Sequence, residues 1–215
     1  MKIKLTKRIF DIFISILLGV ILSPLLLIIY IAISLESGRP VFYKSKRYTS
    51  KDKCITIYKF RSMVKNAHDF NDRLYSKYFD GKYLDIPLSD PVYTKIGVLV
   101  EKYQLVEIPQ LLNIIKGDIS FVGNRPLPIR NIEKHLNDSV FMSRFNSPAG
   151  LTGLSQLVGR SDKDAQRTEL ESHYSFIYNN KKVLLWVDIQ IIYFTFMKIF
   201  LGRKFSASKL KLLIN

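Results

Sequence analysis

The chain has 215 residues, with 33 Lys and Arg against 18 Asp and Glu for a formal net charge of +15. That length allows one core of ordinary size and is too short for two independent domains plus a membrane segment; the charge implies a polyanionic neighbour, whether nucleic acid, an anionic membrane face or phosphorylated substrates. Cys54 is the only cysteine, which excludes an internal disulfide and any CxxC metal or redox site and fits a reducing, cytosol-facing location, and His68, His135 and His173 show no metal-ligand spacing.

The first element is apolar. From Ile12 to Leu35 the sequence IFISILLGVILSPLLLIIYIAISL carries no charge, and it exceeds the roughly 20 residues that cross a bilayer core. It is also much longer than the apolar region of a cleaved signal peptide. Ser23 and Pro24 sit at its middle, where proline removes a helical hydrogen bond and bends the helix. The freed carbonyl needs a donor in lipid, and the Ser23 hydroxyl is close enough to serve. Lys2, Lys4, Lys7 and Arg8 precede the run, and Arg39, Lys44, Lys46, Arg47, Lys51 and Lys53 follow it. Basic flanks at both ends favour a helix that enters, bends at Ser23-Pro24 and returns to the same face; a simple kinked crossing is the alternative.

Beyond Gly38 and Pro40 the pattern turns β-rich. VFYK (41–44) and CITIYKF (54–60), with polar residues between them, predict a strand pair. Residues 64–93 are polar, contain Pro87 and Pro91, and read as a short helix followed by a loop. Ile96, Leu99, Val100 and Tyr103 give residues 94–103 helical spacing. A second helix, of about ten residues, should begin near Pro109 and end at Lys116-Gly117. Val106 and Glu107 would lie at its N-terminus, whose partial positive charge suits acids and phosphate oxygens. Finally, VLLWVDIQIIYFTFMKIFLGR (183–203) carries Asp188, Thr195 and Lys198 on roughly one face and aromatic and aliphatic residues elsewhere. This reads as a helix lying in a membrane interface, with a buried core helix as the alternative.

Several patterns together resemble one family: KRIFDIFIS (7–15), the Ser23-Pro24 break, GRPVFYKSKR (38–47), IYKFRSM (57–63), EIPQLLNIIKGDISFVGNRP (107–126) and GLTGLSQLVGR (150–160). As an ordered set they resemble the bacterial sugar transferases, the small monotopic phosphoglycosyltransferases. The resemblance implies an α+β, mostly helical fold, with a re-entrant membrane helix hairpin, a small β-hairpin and a compact helical cytosolic domain with interfacial helices. Its expected divisions are a basic N-terminus and membrane helix over 1–36, a soluble domain over 37–205 and a tail over 206–215.

The implied activity is transfer of a sugar-1-phosphate from a UDP-sugar to polyprenyl (undecaprenyl) phosphate, on the cytoplasmic face of the bacterial inner membrane. Such chemistry uses Mg²⁺, a carboxylate to hold it and basic groups on phosphate oxygens. Glu107 is the candidate catalytic and metal-binding residue; Lys59, Arg61, Arg125 and Arg160 are the candidate substrate-binding residues. Asp118 also matches a family acid, with a turn or capping role as the alternative. The implied partners are the donor, the acceptor lipid and membrane lipid; the sequence shows no RRM, HTH or zinc signature that would favour nucleic acid.

The family's nucleophile is an Asp immediately before the Glu, and Val106 stands in its place. Valine has no lone pair to attack phosphorus or bind a metal, which excludes a double displacement through this position. Other departures are Tyr48-Thr49 for a glycine-bearing turn, Asn124 for a proline, Ser147 for a basic residue and an apparent insertion at Ala149. Two readings stay open: transfer without a nucleophile at 106, by direct acceptor attack or with another carboxylate recruited, and a catalytically silent membrane-bound binding or scaffold partner. If only the nucleophile is missing, Val106→Asp should create or raise activity.

Overall fold

A computed structural model describes residues 3–79, 85–133, 135–158, 164–180 and 184–214 of the chain. Its longest element follows from the charge-free run: α1 covers Leu5–Ser37 with Pro24 inside it. Proline 24 offers no N–H to the carbonyl of residue 20, and the Ser23 hydroxyl donates to that Val20 carbonyl at 2.8 Å. The helix therefore continues through Ser23-Pro24. The Ser23 bond satisfies the orphaned carbonyl locally, so the helical assignment is unbroken at the position where the bend is expected.

The elements that follow are β1 (Phe42–Tyr48), β2 (Cys54–Phe60), α2 (Asn71–Tyr78), α3 (Lys95–Lys102), a 3-10 segment (Leu105–Gln110), α4 (Leu111–Lys116) and β3 (Ser120–Val122). After them come α5 (Ile129–Glu133), α6 (Ser139–Met142), a second 3-10 segment (Ser143–Asn146), β4 (Gly150–Thr152), α7 (Leu154–Leu157), α8 (Asp164–Asn180), α9 (Leu184–Leu201) and α10 (Ala207–Ile214). β1 and β2 form the expected two-stranded sheet, with β1 running on past Lys44 to Tyr48. The stretch expected as a tail carries α10.

Two compact units interleave along the sequence. The first comprises Met1–Leu17, Lys46–Ile57 and Leu111–Asn215. Here the start of α1 presents Lys7, Asp11 and Ser15, all fully buried, at the i, i+4, i+8 spacing of one helical face. Lys7 Nζ pairs with Asp188 Oδ2 at 2.5 Å, and the Tyr174 hydroxyl donates to Asp188 Oδ1 at 2.8 Å. Asp11 accepts from Ser120 Oγ at 2.6 Å and the Phe121 amide at 3.2 Å. Burial, reinforced by the Asp188 carboxylate, holds the Tyr174 phenol well above its ordinary range, so it stays a donor. The N-terminal basic residues expected to flank the membrane run as free charges are thus largely committed to protein: Lys4 donates to the Tyr178 carbonyl and Arg8 to the carbonyls of Ile114 and Ile115.

The same unit holds the short parallel pair β3 and β4, in the register Ser120↔Gly150 and Val122↔Thr152. A Cβ on Gly150 would lie 2.1 Å from the Gly123 nitrogen, and one on Gly123 would lie 2.3 Å from the Pro148 carbonyl. Only glycine permits that backbone approach. α8 supplies the core through Leu170, Tyr174, Ile177 and Tyr178. α9 packs through a mixed face: Leu184, Val187, Ile191 and Met197 are buried beside Asp188. Asp188 binds Lys7, the Thr195 hydroxyl bonds Thr152 Oγ1 at 2.7 Å, and Lys198 donates to the Gln156 and Val158 carbonyls at 2.5 and 3.1 Å. Trp186, Tyr193, Phe196 and Phe200 are left exposed.

The second unit comprises Leu18–Ser45 and Tyr58–Gln110. Its core gathers Ile29 and Ile33 of α1 with Val41, Phe60, Val100 and Val106. Glu36 caps α3, accepting from the Lys95 amide at 2.7 Å and the Ile96 amide at 3.1 Å. Asp90 orders the polar stretch before α3 through bonds from the Val92 amide, the Tyr78 hydroxyl and Arg73, each at 2.9 Å. Along the middle of α1, Val20, Ile21, Leu27 and Ile28 remain exposed. By length and composition, α1 and α9 are both apolar enough to cross a membrane.

Candidate active site

The expected helix beginning at Pro109 is divided. Residues Leu105–Gln110 form the first 3-10 segment and only Leu111–Lys116 are α-helical. α3 ends at Tyr103 and the chain reverses through Gln104, which adopts a left-handed φ of 58°. Tight 3-10 geometry follows, with the Glu107 amide donating to the Gln104 carbonyl at 3.4 Å. The anion-favouring field assigned to a ten-residue helix start therefore lapses, since no such helix stands behind Val106 and Glu107.

Neighbouring residues of this segment separate sharply. Val106 is 4% exposed and belongs to the apolar cluster of Ile29, Ile33, Val41, Phe60 and Val100. Glu107 is partly buried, and its Oε1 accepts from Lys59 Nζ at 2.8 Å, the side chains being 16% and 18% exposed, respectively. Position 106 is thus a packing position as well as one lacking a nucleophile. The Lys59–Glu107 pair brings two of the sequence candidates together on adjoining parts of one unit.

Arg61 takes a different place. It is 7% exposed, and its guanidinium donates to the Ser37 carbonyl at 3.1 Å, Ser37 Oγ at 2.7 Å, the Gly38 carbonyl at 2.6 Å and the Pro40 carbonyl. It clamps the C-terminal end of α1, where helix carbonyls lack intrahelical donors. Burial lowers its pKa from the usual arginine value. Asp118 is likewise structural: its Oδ2 accepts from Asn113 Nδ2 at 2.9 Å. Its amide and that of Gly117, at φ 87°, return to the Asn113 carbonyl at 2.9 and 3.1 Å and close α4.

Arg125 belongs to the first unit. It lines a shallow crevice of about 10 Å³, room for about one water molecule, together with Tyr48, Thr49, Asn124, Arg144, Phe145, Ser147 and Ala149. Every family departure noted in the sequence apart from Val106 lines this one crevice. Arg160 lies outside the described residues. Sequence inspection missed the ion pair behind Arg125, in which Arg144 Nη1 meets Glu171 Oε2 at 2.9 Å, both side chains buried. It also missed the buried Lys7–Asp188 pair, although charges at helical spacing along an otherwise apolar helix were a legible signal.

Among the described residues no three His, Cys, Asp or Glu side chains come together as a metal site. The chain offers Mg²⁺ the Glu107 carboxylate, whose Oε1 already takes the Lys59 ammonium. This fits a cation that arrives on a diphosphate and completes its shell with phosphate oxygens and water, and it does not fit a preformed all-protein cage.

A family model described as bacterial sugar transferase matches residues 2–202. A Sinorhizobium fredii protein named exopolysaccharide production protein ExoY is 33% identical over 93% of this chain and 87% of its own length. An undecaprenyl-phosphate galactose phosphotransferase of Salmonella typhimurium is 34% identical over 88% of this chain but only 39% of its own length. A Klebsiella pneumoniae UDP-glucose:undecaprenyl-phosphate glucose-1-phosphate transferase is 31% identical over 92% and 40%, respectively. The chain therefore spans about two-fifths of the longer relatives and most of the shorter one. With the motif set running in order through the fold, the chain belongs to the bacterial sugar transferase family.

Proposed function

We propose that the protein transfers a sugar-1-phosphate from a UDP-sugar to polyprenyl phosphate, initiating polysaccharide or glycoconjugate assembly at the cytoplasmic face of the bacterial inner membrane. The observation that carries this reading is the partly buried Lys59–Glu107 pair at 2.8 Å: the family's acid keeps a cationic partner although the residue beside it is packed in the core. Printed names of relatives from Salmonella and Klebsiella supply the substrate class. Membrane seating is supported by the exposed apolar residues along the middle of α1 and by the exposed Trp186, Tyr193, Phe196 and Phe200 of α9.

Val106 excludes a covalent intermediate at its own position, and direct attack by the acceptor is the mechanism we propose, with recruitment of another carboxylate as the alternative. A non-bridging oxygen of polyprenyl phosphate attacks the β-phosphorus of the donor. The bond from that phosphorus to the oxygen bridging the α-phosphate breaks, and UMP leaves with the electron pair. Polyprenyl-diphospho-sugar is the other product. When bound, Mg²⁺ supplies charge neutralisation to the diphosphate. Glu107 would hold it, and Lys59 at 2.8 Å would orient the Glu107 carboxylate. Positioning and charge do the work that a covalent intermediate does elsewhere.

The burial of Val106 also favours a second reading, a silent relative that binds polyprenyl phosphate or an active transferase. Purified protein in detergent, with Mg²⁺, a broad panel of UDP-sugars and undecaprenyl phosphate, separates the two. UMP release abolished by Glu107→Ala supports transfer; no UMP from any donor supports the silent relative.

A further inference from the structure

Trp186, Ile189, Tyr193, Phe196 and Phe200 of α9 are all exposed. At 100° per residue they share an arc of about 80°, a stripe about 21 Å long on one side of the helix. The opposite side is committed to protein: Asp188 holds Lys7, Thr195 bonds Thr152, and Lys198 donates to the Gln156 and Val158 carbonyls. α9 is long and apolar enough to cross a bilayer, but crossing would put lipid in place of those bonded polar groups. One face is left for a membrane interface, the environment that suits Trp and Tyr.

The stripe ends in an ordered basic turn. Gly202 takes a left-handed φ of 63°, and the Arg203 amide returns to the Met197 carbonyl at 3.3 Å. The Phe205 ring packs against Phe194 of α9, with centroids 5.2 Å apart. Between these anchors Arg203 and Lys204 are exposed. Neither makes an ion pair among the described residues, whereas Lys198 is occupied by carbonyls and Lys211 by Glu169.

We propose that the Arg203–Lys204 turn is a site for acidic phospholipid: with the stripe of α9 seated among acyl chains, the two cations take the phosphate of an anionic headgroup. A partner protein would also cover an aromatic stripe. Two unpaired cations at its end, on a chain of net charge +15, match a surface of fixed negative charge better. The inference goes beyond sugar-phosphate transfer and does not depend on it, since a protein that transfers nothing would seat α9 in the same way.

The single tryptophan provides the test. Trp186→Phe with Phe200→Trp moves the only indole to the last turn of α9, close to Arg203 in sequence and at a position already aromatic and exposed. The full chain carrying both changes is placed in nanodiscs of phosphatidylcholine with a minor fraction of phosphatidylglycerol. Brominated acyl chains are carried by phosphatidylglycerol in one set and by the same mole fraction of phosphatidylcholine in the other. Brominated phosphatidylglycerol should quench the indole at least about twofold more strongly, and Arg203→Gln with Lys204→Gln should bring the two lipids level. High salt should level them in the protein with Arg203 and Lys204 intact, a readout that does not rely on how the variant folds. Equal quenching by the two lipids with both cations present overturns the inference, as does a preference that survives the double change. An indole quenched by aqueous iodide and by neither lipid places α9 off the membrane and overturns it too. UMP release is read separately, and its absence bears on the transfer reading alone.

Discussion

Val106→Asp restores the family's missing nucleophile in sequence, yet the structure predicts damage. The valine is 4% exposed among Ile29, Ile33, Val41, Phe60 and Val100. An ionised carboxylate there would be driven to its protonated form, and burying even that form without a hydrogen-bond partner costs about 2–7 kcal/mol on transfer scales. Protein mutational data put the cost nearer 1–3 kcal/mol, and lost valine packing adds about 1 kcal/mol, for a total of about 3 kcal/mol. Val106→Thr, isosteric and less polar, should cost less than Val106→Asp. Denaturant unfolding in detergent by near-UV dichroism measures the stability, and UMP release is assayed in parallel. The account expects a destabilised Val106→Asp with no gain in UMP release. A variant as stable as wild type that gains turnover would refute the packing argument and restore the simpler view of a site lacking one group.

The chain's only tryptophan, Trp186, is 61% exposed on the apolar face of α9. In nanodiscs its emission should shift to the blue and be quenched by lipids brominated on their acyl chains; quenching by aqueous iodide instead would place α9 off the membrane. Lys7→Met leaves Asp188 buried without its cation and should destabilise by about 3–5 kcal/mol. The double variant Lys7→Met, Asp188→Leu should recover most of that loss, as read by denaturant midpoints. Gln104 holds a positive φ of 58°, and Gln104→Gly should stabilise by up to about 1 kcal/mol in the same assay.

Where local chemistry dictated structure, the sequence was readable. Pro24 orphaned the Val20 carbonyl and Ser23 was positioned to bond it; Asp188, Thr195 and Lys198 formed one stripe, and each bonds to the protein. The Cys54–Phe60 strand has the expected bounds, and its burial alternates through Ile57 before Phe60 breaks the period. Other features depend on contacts far apart in sequence. Lys7 reads as a membrane-flanking charge until Asp188 arrives from 181 positions away. β3 and β4 are three residues each, too short for periodicity, and exist because Gly123 and Gly150 let two backbones touch. α8 carries a helical period at Leu170, Tyr174, Ile177 and Tyr178 that inspection passed over for want of a conspicuous motif. At the candidate site, the motifs single out Lys59 and Glu107, which the fold pairs. That Arg61 serves the end of α1 and that Val106 faces a core were not legible, because chain chemistry alone does not say which way a side chain turns in a 3-10 segment.

The central claim is sugar-phosphate transfer in one displacement, without a phosphosugar held on the enzyme. Initial rates of UMP release, measured while both UDP-sugar and undecaprenyl phosphate are varied, test it most directly. The account predicts intersecting reciprocal plots and UMP release that depends strictly on the acceptor; a stoichiometric burst of UMP without acceptor, or no UMP from any donor, would contradict it.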